Sequence, residues 1–196
     1  MSGSQLKGKR LIPVPEHLLR GLMEACRKEG KPLNKYIEEA LQQAVKIFET
    51  GQNLKGMVHY FEILESQKAS GAVFVPLSVY DFLTRKVYAT DKEDLLDIWF
   101  ESGKWYGKYL SERFEDAVQS LADLLKVARW DLNEVNINEM DGKVKLRCTS
   151  TALTKKATKL LLSFIEGALS GMECKIVKSE FMKGLILIEF SCAQRS

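Results

Sequence analysis

The chain is poor in the residues from which most catalytic and metal sites are built. Its 196 residues include only two histidines, His17 and His59, and four cysteines, Cys26, Cys148, Cys174 and Cys192. The cysteines are scattered, with no CxxC and no Cys/His cluster, so neither a zinc site nor a disulfide framework is indicated. The thiols are expected to be reduced and structural, with no metal and no cofactor. No P-loop, dinucleotide glycine motif or Ser/His/Asp set is present, and neither histidine has a catalytic setting, so the residues make no positive case for an enzyme. No apolar run approaches the roughly 20 residues that span a bilayer, and MSGSQLKGKR lacks the apolar segment of a signal peptide. The expectation is a cytoplasmic protein with no membrane partner. Prolines number only four, and 45% hydrophobic with 28% charged residues describes a chain able to form a core.

The charge that is present is unevenly placed. Residues 1–50 carry nine Lys/Arg and six Asp/Glu, whereas residues 51–196 carry twenty of each. All the excess positive charge therefore lies in the first fifty residues, as a phosphate-binding surface requires; a small solvated segment also reaches that value by chance.

Lys9 to Val14 alternates as a strand would, with Arg10, Ile12 and Val14 on one face and Lys9, Leu11 and Pro13 on the other. Pro15 suits a first helical position and Glu16 the positive end of the helix dipole. Leu18, Leu19, Leu22 and Cys26 recur at helical spacing, and Gly30 supplies a left-handed stop. Tyr36, Ile37, Ala40, Leu41, Ala44, Val45 and Phe48 form a second stripe behind Asn34, the natural N-cap. This strand, helix, helix order resembles the ribbon-helix-helix DNA-binding module. The unit is too small to bury its own stripes, and the resemblance implies a homodimer whose paired strands enter the major groove of double-stranded DNA. It assigns DNA contact to Lys7, Lys9, Leu11 and Pro13 along the ribbon, and phosphate contact to Lys31, Asn34 and Lys35. The outward strand face departs from the family pattern, because only Lys9 can donate to a base edge. Arg10 facing inward leaves open a register shifted by one residue.

A polar, Gly-bearing stretch, ETGQNLKG, separates this module (1–50) through a linker (51–56) from a second domain (57–196). Residues 57–64 and 72–75 read as strands. Helices are expected over about 76–88, 92–113 and 116–127, with Asp91 capping the second. A hairpin turning at Asp141-Gly142 comes next, then a helix over about 152–169 and a closing strand pair joined near Lys183-Gly184. The fold class is thus α+β, with antiparallel hairpins packed on helices.

The aromatic helix DIWFESGKWYGKYL, the hairpin-helix-hairpin order and FIEGALSGMECKIVKSEFMKGLILIEF together resemble the domain named after 4-vinyl reductase. That domain is related to sensor domains of aromatic-responsive regulators and to subunits of vesicle-tethering particles. The resemblance implies a pocket for an aromatic or other hydrophobic small molecule, walled by Trp99, Phe100, Gly103, Trp105, Tyr106 and Gly107. Family members often carry cysteines in the final hairpin; here Phe181 and Phe190 stand there, which puts a metal or reductase role in doubt. Read from the residues alone, clustered aromatics at helical spacing are more often the mark of a core than of a ligand site, and glycines four apart often serve helix packing or dimerisation.

The leading expectation is a homodimeric DNA-binding transcriptional regulator with a ligand-sensing second domain. The alternative is a dimeric scaffold that binds protein partners without sequence-specific DNA binding. A reductase acting on a tetrapyrrole side chain is the third. The operator and the ligand are not legible in the residues.

Overall fold

Two amphipathic helices open the structure, a computed structural model that describes residues 12–69, 71–140 and 142–192. They are α1 (Glu16–Glu29) and α2 (Leu33–Glu49). The expected strand at 9–14 lies in part outside the described residues, and residues 12–15 have no regular structure. A ribbon-helix-helix N-terminus therefore has no strand among the described elements, and the sheet lies wholly in the C-terminal part.

Pro15 is the N-cap of α1 and not its first helical residue, since its carbonyl accepts from Leu18 and Leu19 N–H. Gly30, at φ 64° and ψ 29°, donates to the Arg27 carbonyl while Lys31 N–H reaches Cys26. That pair of bonds is the left-handed stop the glycine predicts. Pro32 occupies the N-cap of α2, which displaces Asn34 into the first turn. A proline there has no side-chain oxygen to offer, so the cap is made by chain direction alone.

The chain divides into two compact units, Met1–Met57 and Val58–Ser196. The first has almost no interior. Cys26 is its only buried apolar side chain among the described residues, while Leu18, Met23, Leu41, Val45 and Phe48 are exposed.

In the second unit, α4 (Leu77–Thr90) and α5 (Lys92–Arg113) pack against α7 (Lys155–Gly171), and α7 together with α6 (Ala117–Ala128) packs on a four-stranded sheet. Its strands are β1 (Glu134–Met140), β2 (Lys143–Thr149), β3 (Cys174–Met182) and β4 (Leu185–Cys192), in the order β1-β2-β4-β3 and antiparallel throughout. Leu146 and Cys148 of β2 and Ile186, Ile188 and Phe190 of β4 alternate onto one buried face. Leu161, Ile165 and Leu169 of α7, Leu121 and Leu125 of α6 and Leu110 of α5 complete the core. The chain is α+β, as its pattern predicts.

Residues 57–64 are not a strand. They belong to α3 (Leu54–Ala69), which runs across the division between the units, and residues 72–75 have no regular structure. Ile63 and Ser66, three apart, are both buried, a spacing that a helix brings to one face and a strand does not. Apolar residues also occupy the opposite face of α3, and this hides the helical period in the sequence.

Cys174 and Cys192 stand directly opposite each other in the β3/β4 register and are joined as a disulfide, which corrects the expectation of four reduced thiols. They stand 18 positions apart in the chain, so only the hairpin register brings the pair together. Cys26 and Cys148 are free and buried.

No helix among the described residues is long and apolar enough to cross a membrane.

Candidate functional site

The aromatic helix α5 lies along α7 through glycines from both helices. A Cβ on Gly103 or Gly107 would overlap the carbonyl oxygens of Phe164 or Ala168, and one on Gly167 or Gly171 those of Phe100 or Lys104. The contact is reciprocal: each helix places two glycines against the other's backbone. This close approach holds α5 against α7 and turns aromatic side chains beside the glycines toward a cavity of about 460 Å³.

Trp99, Ser102 and Tyr106 of α5 form one wall of that cavity, Leu161 and Phe164 of α7 a second, and Leu124, Leu125, Ala128 and Arg129 a third. Gln67 of α3 and residues 71–73 lie across it. The rings are in series. Tyr80 meets Trp99 edge-on at 6.2 Å, Trp99 meets Phe164 at 6.2 Å, and Phe164 meets Tyr106 at 5.5 Å between centroids. These separations are those of favourable aromatic pairs, so the wall is held in place without being sealed. Next in the chain to the lining residues Val73 and Arg129, Phe74 stacks on Trp130 at 6.2 Å, and both are largely exposed.

Polar groups of Gln67, Ser102, Tyr106 and Arg129 share the lining with these rings. The Tyr106 hydroxyl donates to Gln67 Oε1 at 3.1 Å. Arg129 donates from Nε to Asp131 Oδ1 at 2.8 Å and from Nη2 to Oδ2 at 2.6 Å, a fork-to-carboxylate pair. Its guanidinium carbon lies 5.8 Å from the centroid of Tyr80. Burial pulls Arg129 down, but the Asp131 bonds and charge, with Tyr80, hold it above its ordinary value. Burial likewise raises the Tyr80 hydroxyl, opposed by the Arg129 charge. The pair brings its own counter-charge, so the cavity has an apolar wall and a neutralised polar end. That suits binding of an apolar or aromatic molecule with a hydrogen-bonding group.

Of the six residues the sequence places in the pocket wall, Trp99 and Tyr106 line the cavity. Gly103 and Gly107 are committed to the α5/α7 contact, Phe100 is half-buried beside it, and Trp105 is 75% exposed. The contributions of α3, α6 and α7 escape sequence reading, because nothing local says which helices meet. One signal is present: Arg129-Trp130-Asp131 sets opposite charges two apart around an aromatic at a helix end. No group of three or more His, Cys, Asp or Glu among the described residues could hold a metal ion.

Lys7, Lys9 and Leu11 lie outside the described residues, and Pro13 is exposed. Lys31, Asn34 and Lys35 gather where α1 turns into α2. Lys31 Nζ is 2.7 Å from Glu39 and 2.9 Å from Glu29, whose carboxylates raise its pKa, while Lys31 lowers that of Glu39. Asn34 and Lys35 are exposed.

No protein-family model matches the chain, and no curated protein does. A solved structure described as "Probing the function of heme distortion in the H-NOX family" is similar over 64% of this chain and 80% of its own, at 19% identity and a TM-score of 0.36. A likeness of that size carries no argument about what this chain binds.

Proposed function

We infer that the protein is a homodimeric DNA-binding transcriptional regulator whose C-terminal unit senses an apolar or aromatic small molecule. The observation that carries the reading is the α1–α2 pair, two amphipathic helices with a single buried apolar side chain between them. A unit of this size exposing both stripes needs a partner to be stable, and a second copy offers the same stripes. The ribbon-helix-helix arrangement is the form of dimer proposed, with residues 9–14 supplying the paired strands. The cavity supports the sensing half: its volume is in the range of small-molecule sites, and its lining sets aromatic rings beside the polar groups of Gln67, Ser102, Tyr106 and Arg129. A ligand regulates if it binds one dimer arrangement better than another.

Retention of the protein on DNA from its own promoter tests the reading. It should exceed retention on competitor DNA, fall steeply with salt, and weaken in Lys9→Ala/Lys35→Ala with a smaller salt slope. Equal retention on both DNAs, unchanged by the substitutions, would remove DNA binding. Indole, used as a probe, should raise the melting temperature of the wild-type chain and not of Ala128→Phe, whose ring fills the cavity.

One observation favours the scaffold reading instead. Lys31 is tied to two carboxylates, which reduces the net charge it presents to a phosphate. A stoichiometric protein partner recovered without nucleic acid would support that reading.

A further inference from the structure

Helix α3 packs one side into the second unit, and its other, apolar side is left open among the described residues. Its inner face carries Ile63 and Ser66, buried in the second unit, with His59 bonded to Asp123 at 3.0 Å and Gln67 on the cavity. On the opposite face Leu54, Met57, Phe61 and Leu64 follow one another at intervals of three, four and three residues. All four are exposed, Phe61 to 63%. That spacing is the a/d repeat of a coiled-coil seam.

We propose that this face of α3 is a dimer seam, occupied by α3 of a second copy running parallel to it. The proposal rests on the dimeric reading above. An a/d seam is self-complementary, so the identical helix is a ready-made occupant. The covalent chain supplies the second argument. Only residues 50–53 separate α2 from α3, so a dimer formed through α1 and α2 tethers two α3 helices at high effective concentration. A seam of this length buries far less than the roughly 800 Å² per partner of a standard interface, and therefore works as an extension of another dimer contact. Charge fits as well. The flanking positions are Val58, Tyr60, Glu65 and Gln67, which set no like charges against each other across a parallel pair. Lys68, next in the a/d series, would face its own copy, and its charge ends the seam.

The seam also gives the cavity a line of action. Gln67, which accepts the Tyr106 hydroxyl, projects from the helix whose outer face pairs, so a ligand that replaces that hydrogen bond acts on the dimer contact directly.

The test uses the full chain. Leu64→Cys should form an interchain disulfide under mild oxidation, at a yield at least tenfold above Glu62→Cys, which lies off the seam. Phe61→Glu/Leu64→Glu, both on exposed sites, should weaken the dimer at least tenfold in sedimentation equilibrium against the 22.3 kDa chain mass. Equal cross-linking at positions 62 and 64, or an unchanged dimer constant in the double variant, would overturn the seam. The seam and the DNA reading fail separately. Cross-linking at 64 without DNA retention removes DNA binding alone; DNA retention without preferred cross-linking removes the seam alone.

Discussion

Gly107 shows how narrowly a single residue is determined when two backbones touch. Its missing Cβ leaves the space taken by the Ala168 carbonyl, which belongs to a packed helix and cannot swing aside. Gly107→Ala should therefore cost about 3 kcal/mol or more, the upper end of overpacking, read as a fall in the denaturation midpoint of the second unit. Gly21 makes the contrast. It lies inside α1 with nothing within 4 Å of where a methyl would stand, so Gly21→Ala should stabilise the first unit by about 0.5–1 kcal/mol through helix propensity. Both glycines are plain in the sequence, and nothing local distinguishes them. Cys148 is a second case. Burial pushes its thiol up to about 12, against the pull of the Arg129 charge. A value raised in the folded state means that the stability it contributes is present below the ordinary thiol range and is lost as pH rises from about 9 toward 12. Alkylation at pH 8, mapped by mass spectrometry, should spare Cys148 in the native chain and label it once denaturant unfolds the second unit.

Elements are legible where one face is apolar and the ends are punctuated. Helix α5 occupies the expected residues 92–113, and α6 begins behind Asp116, whose carboxylate accepts from Gln119 N–H at 2.8 Å. The hairpin β1/β2 pairs up to Met140 opposite Lys143, on either side of the expected turn, of which Asp141 lies outside the described residues. Helix α3 reads as a strand because apolar residues spread around it, from Met57 to Leu64, make a nearly continuous apolar run, which a buried strand also produces. The sequence predicts the hairpin β3/β4 but not its disulfide. The two cysteines face each other only when the register aligns Cys174 with Cys192, with a shift between Ile176 and Lys178 on the way. Closing a loop of 18 residues restricts the unfolded chain, so reducing this bond, or Cys174→Ser/Cys192→Ser, should lower stability by about 3 kcal/mol in denaturant titration.

The whole molecule contains two units of different character. The second has a core drawn from its helices and sheet; the first has one buried apolar side chain among its described residues and an exposed stripe on each helix. If the first gains its core from a second copy, its unfolding is linked to protein concentration. Calorimetry should then resolve a transition of the first unit whose midpoint rises with concentration, beside one of the second unit that moves much less. A first-unit transition independent of concentration over two decades would argue against a dimer through α1 and α2.

The amino-acid order by itself determined the α+β class, the α1–α2 turn at Gly30, most helix limits and the pairing of each hairpin. These rest on periodicity, capping residues and turn chemistry, all of which act over a few neighbouring positions. Tertiary structure alone decided that α3 is a helix with a buried and an open face, that the glycines of α5 serve contact with α7, that Cys174 meets Cys192, and that Arg129 and Phe164 share a cavity with Trp99. Each of those outcomes depends on which surfaces meet across long stretches of chain, and local pattern leaves that undetermined.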